Sequence, residues 1–145
     1  MPAKIKLTTD EIKCMGLFES ITGVAARDCI IDNHSNRIIF VTNPKEAGLA
    51  IGKNGFKIKL LRKATGKNIE VIEYSENVQE FIKNAFLPAR VKEVRIVEKL
   101  DKRKIALVKV ENEDKGIAIG KGGERVEKVR KLIKRYFDIE GLSII

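Results

Sequence analysis

Gly48-Leu49-Ala50-Ile51-Gly52-Lys53-Asn54-Gly55 returns 68 positions later as Gly116-Ile117-Ala118-Ile119-Gly120-Lys121-Gly122-Gly123. Downstream the match holds at the same offset, with Ile58 on Val126, Leu61 on Val129 and Arg62-Lys63 on Arg130-Lys131. Upstream, Ile38-Ile39-Phe40-Val41 is set against Ile105-Ala106-Leu107-Val108. Similarity running through a strand, a loop and a helix reads as a tandem duplication.

The rest of each unit follows from hydrophobic period and turn residues. Thr8-Thr9-Asp10-Glu11 is a capping-box signature, followed by an apolar stripe of Ile12, Met15, Phe18 and Ile21 with Gly23 as a stop. Residues 28–31 and 37–42 read as strands around Asn33-His34-Ser35-Asn36. Pro44 is placed in the first turn of a short helix running into Gly52. A second helix leaves Gly55 for Thr65-Gly66, and residues 68–74 form a closing strand. In the second unit Val78, Phe81, Ile82, Ala85 and Phe86 mark an amphipathic helix ended by Pro88. Strands follow at 91–98 and 104–110, then a short helix at 112–119, a long one to Phe137, and a last strand from Ile139 to Ile145. The expected fold is α+β, two units of order helix-strand-strand-helix-GxxG-helix-strand, with boundaries 1–75 and 76–145. Nothing linker-like separates them, so they are expected to sit closely and rigidly docked.

Composition narrows the function. The chain has 145 residues and a net charge of +9, with 43% hydrophobic and 34% charged residues, and a pI near 9.6. The charge is spread: 12 basic against 8 acidic side chains in residues 1–75, and 17 against 12 in 76–145. An anionic partner, nucleic acid first, fits that balance. No apolar run approaches a membrane span and the Lys-rich start lacks a signal-peptide core, so no membrane partner and a cytoplasmic location are expected. Cys14, Cys29 and the single His34 cannot complete a four-ligand zinc site, and the two cysteines read as buried small hydrophobes. No metal, cofactor or catalytic residue is assigned. His34 reads as turn chemistry, and Glu111, Glu113 and Asp114 read as carboxylates complementing a helix start.

The glycine loops carry the chemistry. Glycine permits a turn that a side chain would block, and the helix leaving it presents unpaired N–H groups to a phosphate. Lys53 and Lys121 add a cation inside each loop. The following helices carry Lys57, Lys59, Arg62, Lys63 and Lys67, and Arg125, Lys128, Arg130, Lys131, Lys134 and Arg135. A Walker loop fails on spacing, because Gly48 and Gly52 enclose three residues rather than four and no Ser or Thr follows the Lys. No G-x-G-x-x-G opens a helix after a strand.

Ile51-Gly52-Lys53-Asn54-Gly55 with Ile58, and Ile119-Gly120-Lys121-Gly122-Gly123 with Val126, resemble the I-G-x-x-G-x-x-I core of KH domains. The element order resembles the type II arrangement, and two units fused with almost no spacer resemble the paired KH region of NusA transcription factors. The resemblance covers about residues 8–145. With neither an amino-terminal polymerase-binding domain nor an S1-type barrel ahead of the pair, it is to the short archaeal form rather than the longer bacterial one. It implies single-stranded RNA as partner, clamped by its backbone at each loop over roughly four nucleotides. Bases would lie in an apolar groove lined by Ile51 and Ile58 in one unit and by Ile119 and Val126 in the other. With no Trp and 6% aromatics, an aliphatic groove fits better than an aromatic platform. The resemblance further implies a role in transcription elongation, termination or antitermination, with RNA polymerase or the transcription complex as a second partner and a monomeric chain. A ribosome-associated or RNA-processing KH protein is the alternative that the same residues would serve.

Overall fold

The computed structural model describes residues 5–145; Lys4 of the Lys-rich start lies outside them. The chain divides between Ser75 and Glu76 into two compact units. The first contains α1 (Thr9–Thr22), β1 (Ala26–Asp32), β2 (Arg37–Thr42), α2 (Ala47–Ile51), α3 (Phe56–Thr65) and β3 (Asn68–Glu73). The second contains α4 (Val78–Phe86), β4 (Val91–Glu98), β5 (Lys104–Val110), α5 (Lys115–Ile119), α6 (Glu124–Phe137) and β6 (Gly141–Ile144). Each unit holds a three-stranded sheet, ordered β1-β2-β3 or β4-β5-β6. In both, the first pair is antiparallel and the second parallel. A parallel pair needs a crossover connection, and the two helices around the glycine loop supply it. Among the described residues no helix is long and apolar enough to cross a membrane.

Local chemistry starts and stops these elements. Thr8 accepts from Glu11 N at 3.2 Å while its own N–H donates to Glu11 Oε1 at 2.8 Å, the reciprocal pair that opens α1. Gly23, at φ 76°, ends it. Asn77 caps α4 by accepting from Glu80 N. Phe18 stacks on Phe40 with ring centroids 4.3 Å apart, fixing α1 on the sheet, and Cys29, Ile38, Ala50 and Leu61 complete that core. In the second unit Phe81 meets Tyr136 and Phe137, both at 5.5 Å, and Ala106, Val108 and Leu132 are buried.

Several expectations shift. The upstream repeat alignment moves by one residue: Ile38 and Phe40 face their core as Ala106 and Val108 face theirs, so the 68-residue offset holds through β2 and β5. A one-residue slip would turn a strand's buried face outward. The inward face of α1 is shifted from the expected stripe: Ile12 is exposed, while Cys14 and Leu17 pack inward beside Met15, Phe18 and Ile21. Pro44 precedes α2 rather than opening it, because Lys45 turns the chain at φ 70°. Lys67 lies beyond α3, which Gly66 closes, and donates to Asn33 Oδ1 at 2.6 Å. The 112–119 segment is a 3₁₀ turn at Asn112–Asp114 followed by α5. β6 begins at Gly141, because Ile139 N bonds back to Ile133 O and closes α6.

Asp114 has a role that dipole reasoning did not identify. It is buried and accepts from both Arg90 N and Arg90 Nε at 2.8 Å. Those side-chain and backbone bonds hold its carboxyl below the usual carboxylate range. A depressed folded-state pKa adds stability that is complete above the unfolded value near 3.9 and is lost as pH falls through the folded value. Asp114→Asn is therefore expected to lower the melting temperature at pH 7 and to flatten its decline below about pH 4. Parallel acid melts of the two proteins test this; identical slopes would remove Asp114 from the acid response.

Candidate nucleic-acid interface

The two glycine loops have nearly the same backbone. Gly52 sits at φ 78°, ψ 171° and Gly120 at φ 78°, ψ 170°, a region open essentially to glycine alone. The next turn is left-handed in both: Asn54 at φ 56° matches Gly122 at φ 64°, and Gly55 at 71° matches Gly123 at 79°. Asn tolerates that region better than most residues, so a side chain is accommodated in one copy and absent from the other. Gly55 N donates to Gly52 O and Gly123 N to Gly120 O, each at 3.1 Å. Neither α3 nor α6 has a side-chain cap; the loop itself takes the first amide of each, Phe56 N donating to Lys53 O and Glu124 N to Lys121 O, and the amides that follow form the outward-facing start of the helix.

Lys53 and Lys121 are exposed at the loop tips. Lys57 and Arg125 are placed differently. The Lys57 ammonium donates to Thr22 O at 2.8 Å and Leu49 O at 3.0 Å, tying the loop to the end of α1 and to α2. Arg125 at the matching position donates from Nη1 to Leu87 O at 3.3 Å, just past α4. Both cations thus brace the loop against the carbonyls of a preceding helix end.

Beside the first loop lies an open groove of about 350 Å³, bounded by Ile51, Gly55 and Ile58, by Lys59 and Arg62 of α3, and by Ile69, Glu70 and Val71 of β3. Ile51 is 37% exposed. Ile58 is half-buried and packs on the core while contributing to this wall. Sequence reasoning missed Ile69 and Val71; their alternation within β3 was the available signal. Lys59 was counted as basic but not placed at the groove. In the second unit Ile119 is 44% exposed, whereas Val126 is 7% exposed and belongs to the core. Arg62 makes no side-chain hydrogen bond or ion pair among the described residues, while Arg130 at the matching position donates to Leu142 O. Cys29 is buried and Cys14 half-buried, and burial pushes the Cys29 thiol up, away from nucleophilic use.

Two α-β-β-α-GxxG-α-β units define a tandem type II KH protein. Residues 15–83 match the KH domain model and residues 78–144 the NusA-like second KH domain. The chain is 33% identical over 143 residues to the "Probable transcription termination protein NusA" of Methanocaldococcus jannaschii, covering 99% of this chain and 76% of the relative. The same-named protein of Halococcus morrhuae is 31% identical, with 97% and 99% covered. The crystal structure of APE1850 superposes with a TM-score of 0.83 at 42% identity, over 96% of this chain and all of that one. The chain belongs to the NusA family.

An ideal Cβ on Gly120 would meet Arg125 N at 2.8 Å and Arg125 Cβ at 2.9 Å, whereas one on Gly52 would meet the Lys57 side chain at 2.9 Å and its N at 3.3 Å. Each Gly→Ala change forces a strained backbone worth about 1–3 kcal/mol. Gly120→Ala adds an overlap with main chain that cannot rotate away. Both variants should be destabilised, Gly120→Ala more, in urea unfolding of the full chain; equal losses would discount the contact with Arg125.

Proposed function

We propose that the protein is a transcription factor that binds single-stranded RNA and acts in elongation, termination or antitermination. The observation that carries this reading is the loop repeated with one backbone, each copy bearing an exposed lysine, the first beside an apolar groove. At the first loop, Lys53 and the uncapped start of α3 meet a phosphate. The chain of nucleotides then turns a base into the groove, against Ile51 and Ile58. At the second, Lys121 and the start of α6 receive another phosphate. Gly52, Gly55, Gly120 and Gly123 shape the turns, Asn54 and Gly122 hold the left-handed position, and Lys57 and Arg125 brace the loops. A groove of this size accepts a splayed base, and an A-form duplex keeps its bases stacked away from it. The named relatives support transcription as the setting; RNA polymerase or the transcription complex as a further partner, and a monomeric chain, complete the reading. No catalytic step belongs to this reading.

Fluorescence anisotropy on the full chain tests it. Single strands should bind more tightly than duplexes of equal length, with a log–log salt slope near −0.7 per neutralised phosphate. Lys53→Asp with Asn54→Asp should lower affinity roughly tenfold or more, the scale of one lost charge-assisted hydrogen bond. Asp tolerates the left-handed position as Asn does, so the melting curve should change little. Equal affinity for single strand and duplex, or an unchanged double variant, would overturn the reading.

A further inference from the structure

The two units differ beside their loops, where the first has its groove. Lys59 and Arg62 stand one helical turn apart on α3, and their like charges repel across the first groove. The matching positions on α6 are Glu127 and Arg130, which form an ion pair. The Arg130 guanidinium continues across, donating from Nε at 3.1 Å and Nη2 at 3.0 Å to the main-chain carbonyl of Leu142.

Strand register shows which site that carbonyl occupies. Ile38 pairs with Ile69 and Ala106 with Leu142, so Leu142 stands in β6 where Ile69 stands in β3. In β3, Asn68 N bonds Asn36 O and Tyr74 N bonds Thr42 O. By alternation along the strand, the amides and carbonyls of Ile69 and Val71 then point away from β2, along the groove. The first unit leaves that polar edge open; in the second, Arg130 covers it. Acidic residues also offset the dipole at the start of α6, with Glu124 and Glu127 in its first turn, while α3 has none.

We propose that the grooves are functionally unequal: the first reads bases, and the second is plugged by the Glu127–Arg130–Leu142 bridge, so that it holds RNA through its loop alone. Arg130 is an occluding residue, with its guanidinium in place of the donors a base edge would bring. The proposal rests on the RNA-binding reading above. One substitution at a repeat position, Lys59 in one copy and Glu127 in the other, sets the difference.

The test is selection from a random-sequence RNA pool with the full chain, beside its Glu127→Lys and Arg130→Ala variants. Wild type should enrich base preferences over one stretch of about four positions, with roughly tenfold discrimination at a preferred base. Glu127→Lys, which copies the first unit's charges, should add a second preferred stretch, and so should Arg130→Ala. Lys53→Asp with Asn54→Asp should erase the wild-type preference. Lys121→Asp with Gly122→Asp should lower affinity and keep it. Two preferred stretches or none in wild type, or one stretch in both groove variants, would overturn the inference while leaving RNA binding standing. Uniformly weaker binding by Arg130→Ala, with a salt slope shallower by about one unit and no new preference, would make Arg130 a phosphate ligand and overturn the inference as well. Absence of any binding by wild type would overturn the RNA-binding reading itself, and this inference with it.

Discussion

Where α5 gives way to α6, the main chain of Arg125 lies so near Gly120 that even a methyl group would overlap it. At Gly52 the nearest approach is to the Lys57 side chain, with the Lys57 amide at 3.3 Å. Everything the units present depends on this close packing. It reverses the chain within a few residues, aims the start of the second helix outward, and sets the lysine at the tip of the turn. It also fixes the position of the residue that braces the loop. The cation at the second position of each helix reaches back to the carbonyls at a preceding helix end, so the loop is held from two sides. A turn with ordinary dihedrals would splay the helices and open the wall built from Ile51 and Ile58.

On that shared scaffold the copies have diverged in chemistry more than in backbone. The first core is built around a stacked Phe18–Phe40 pair, the second around edge-to-face contacts of Phe81. The helix after the loop is 10 residues long in one unit and 14 in the other, so the repeat offset grows from 68 to 73 residues while the last strand keeps its register. Charges at the helix mouth change sign at one position. Duplication thus conserved the turn, which only glycine can make, and left the surrounding surface free to change.

Much of this was legible in the sequence because glycine spacing and apolar period are local signals. The capping box at Thr8, the stop at Gly23, the strands at 91–98 and 104–110 and the end of α6 at Phe137 were all readable from a few neighbouring residues. The groove was legible in part: Ile51 and Ile58 follow from the motif, but Ile69 and Val71 join them only through a parallel crossover that no local pattern encodes. Val126 resembles Ile58 in sequence and is core in the fold. Lys57 and Arg125 read as RNA-binding cations, yet they donate to carbonyls of a preceding helix end, and Arg90 meets Asp114 across 24 positions. Such contacts depend on where the backbone returns. The one-residue error in the upstream alignment had the same origin, since alternating aliphatics look alike in either register until one face is buried.

The sheet edges have a consequence for self-association. β1 and β4 each carry a bulge near the start, between Ala26 and Asp28 and between Val91 and Glu93, and an irregular edge is a poor template for another strand. The edge of β6 is capped by a side chain at Leu142. Within the described residues β3 alone presents an uncapped run, guarded at its flank by Lys59 and Arg62. A chain with one receptive edge can pair with a single foreign strand and then stop, because edge-to-edge polymers need two. The Arg130 guanidinium on Leu142 O thus also makes the outer edge of β6 a poor template for a foreign strand.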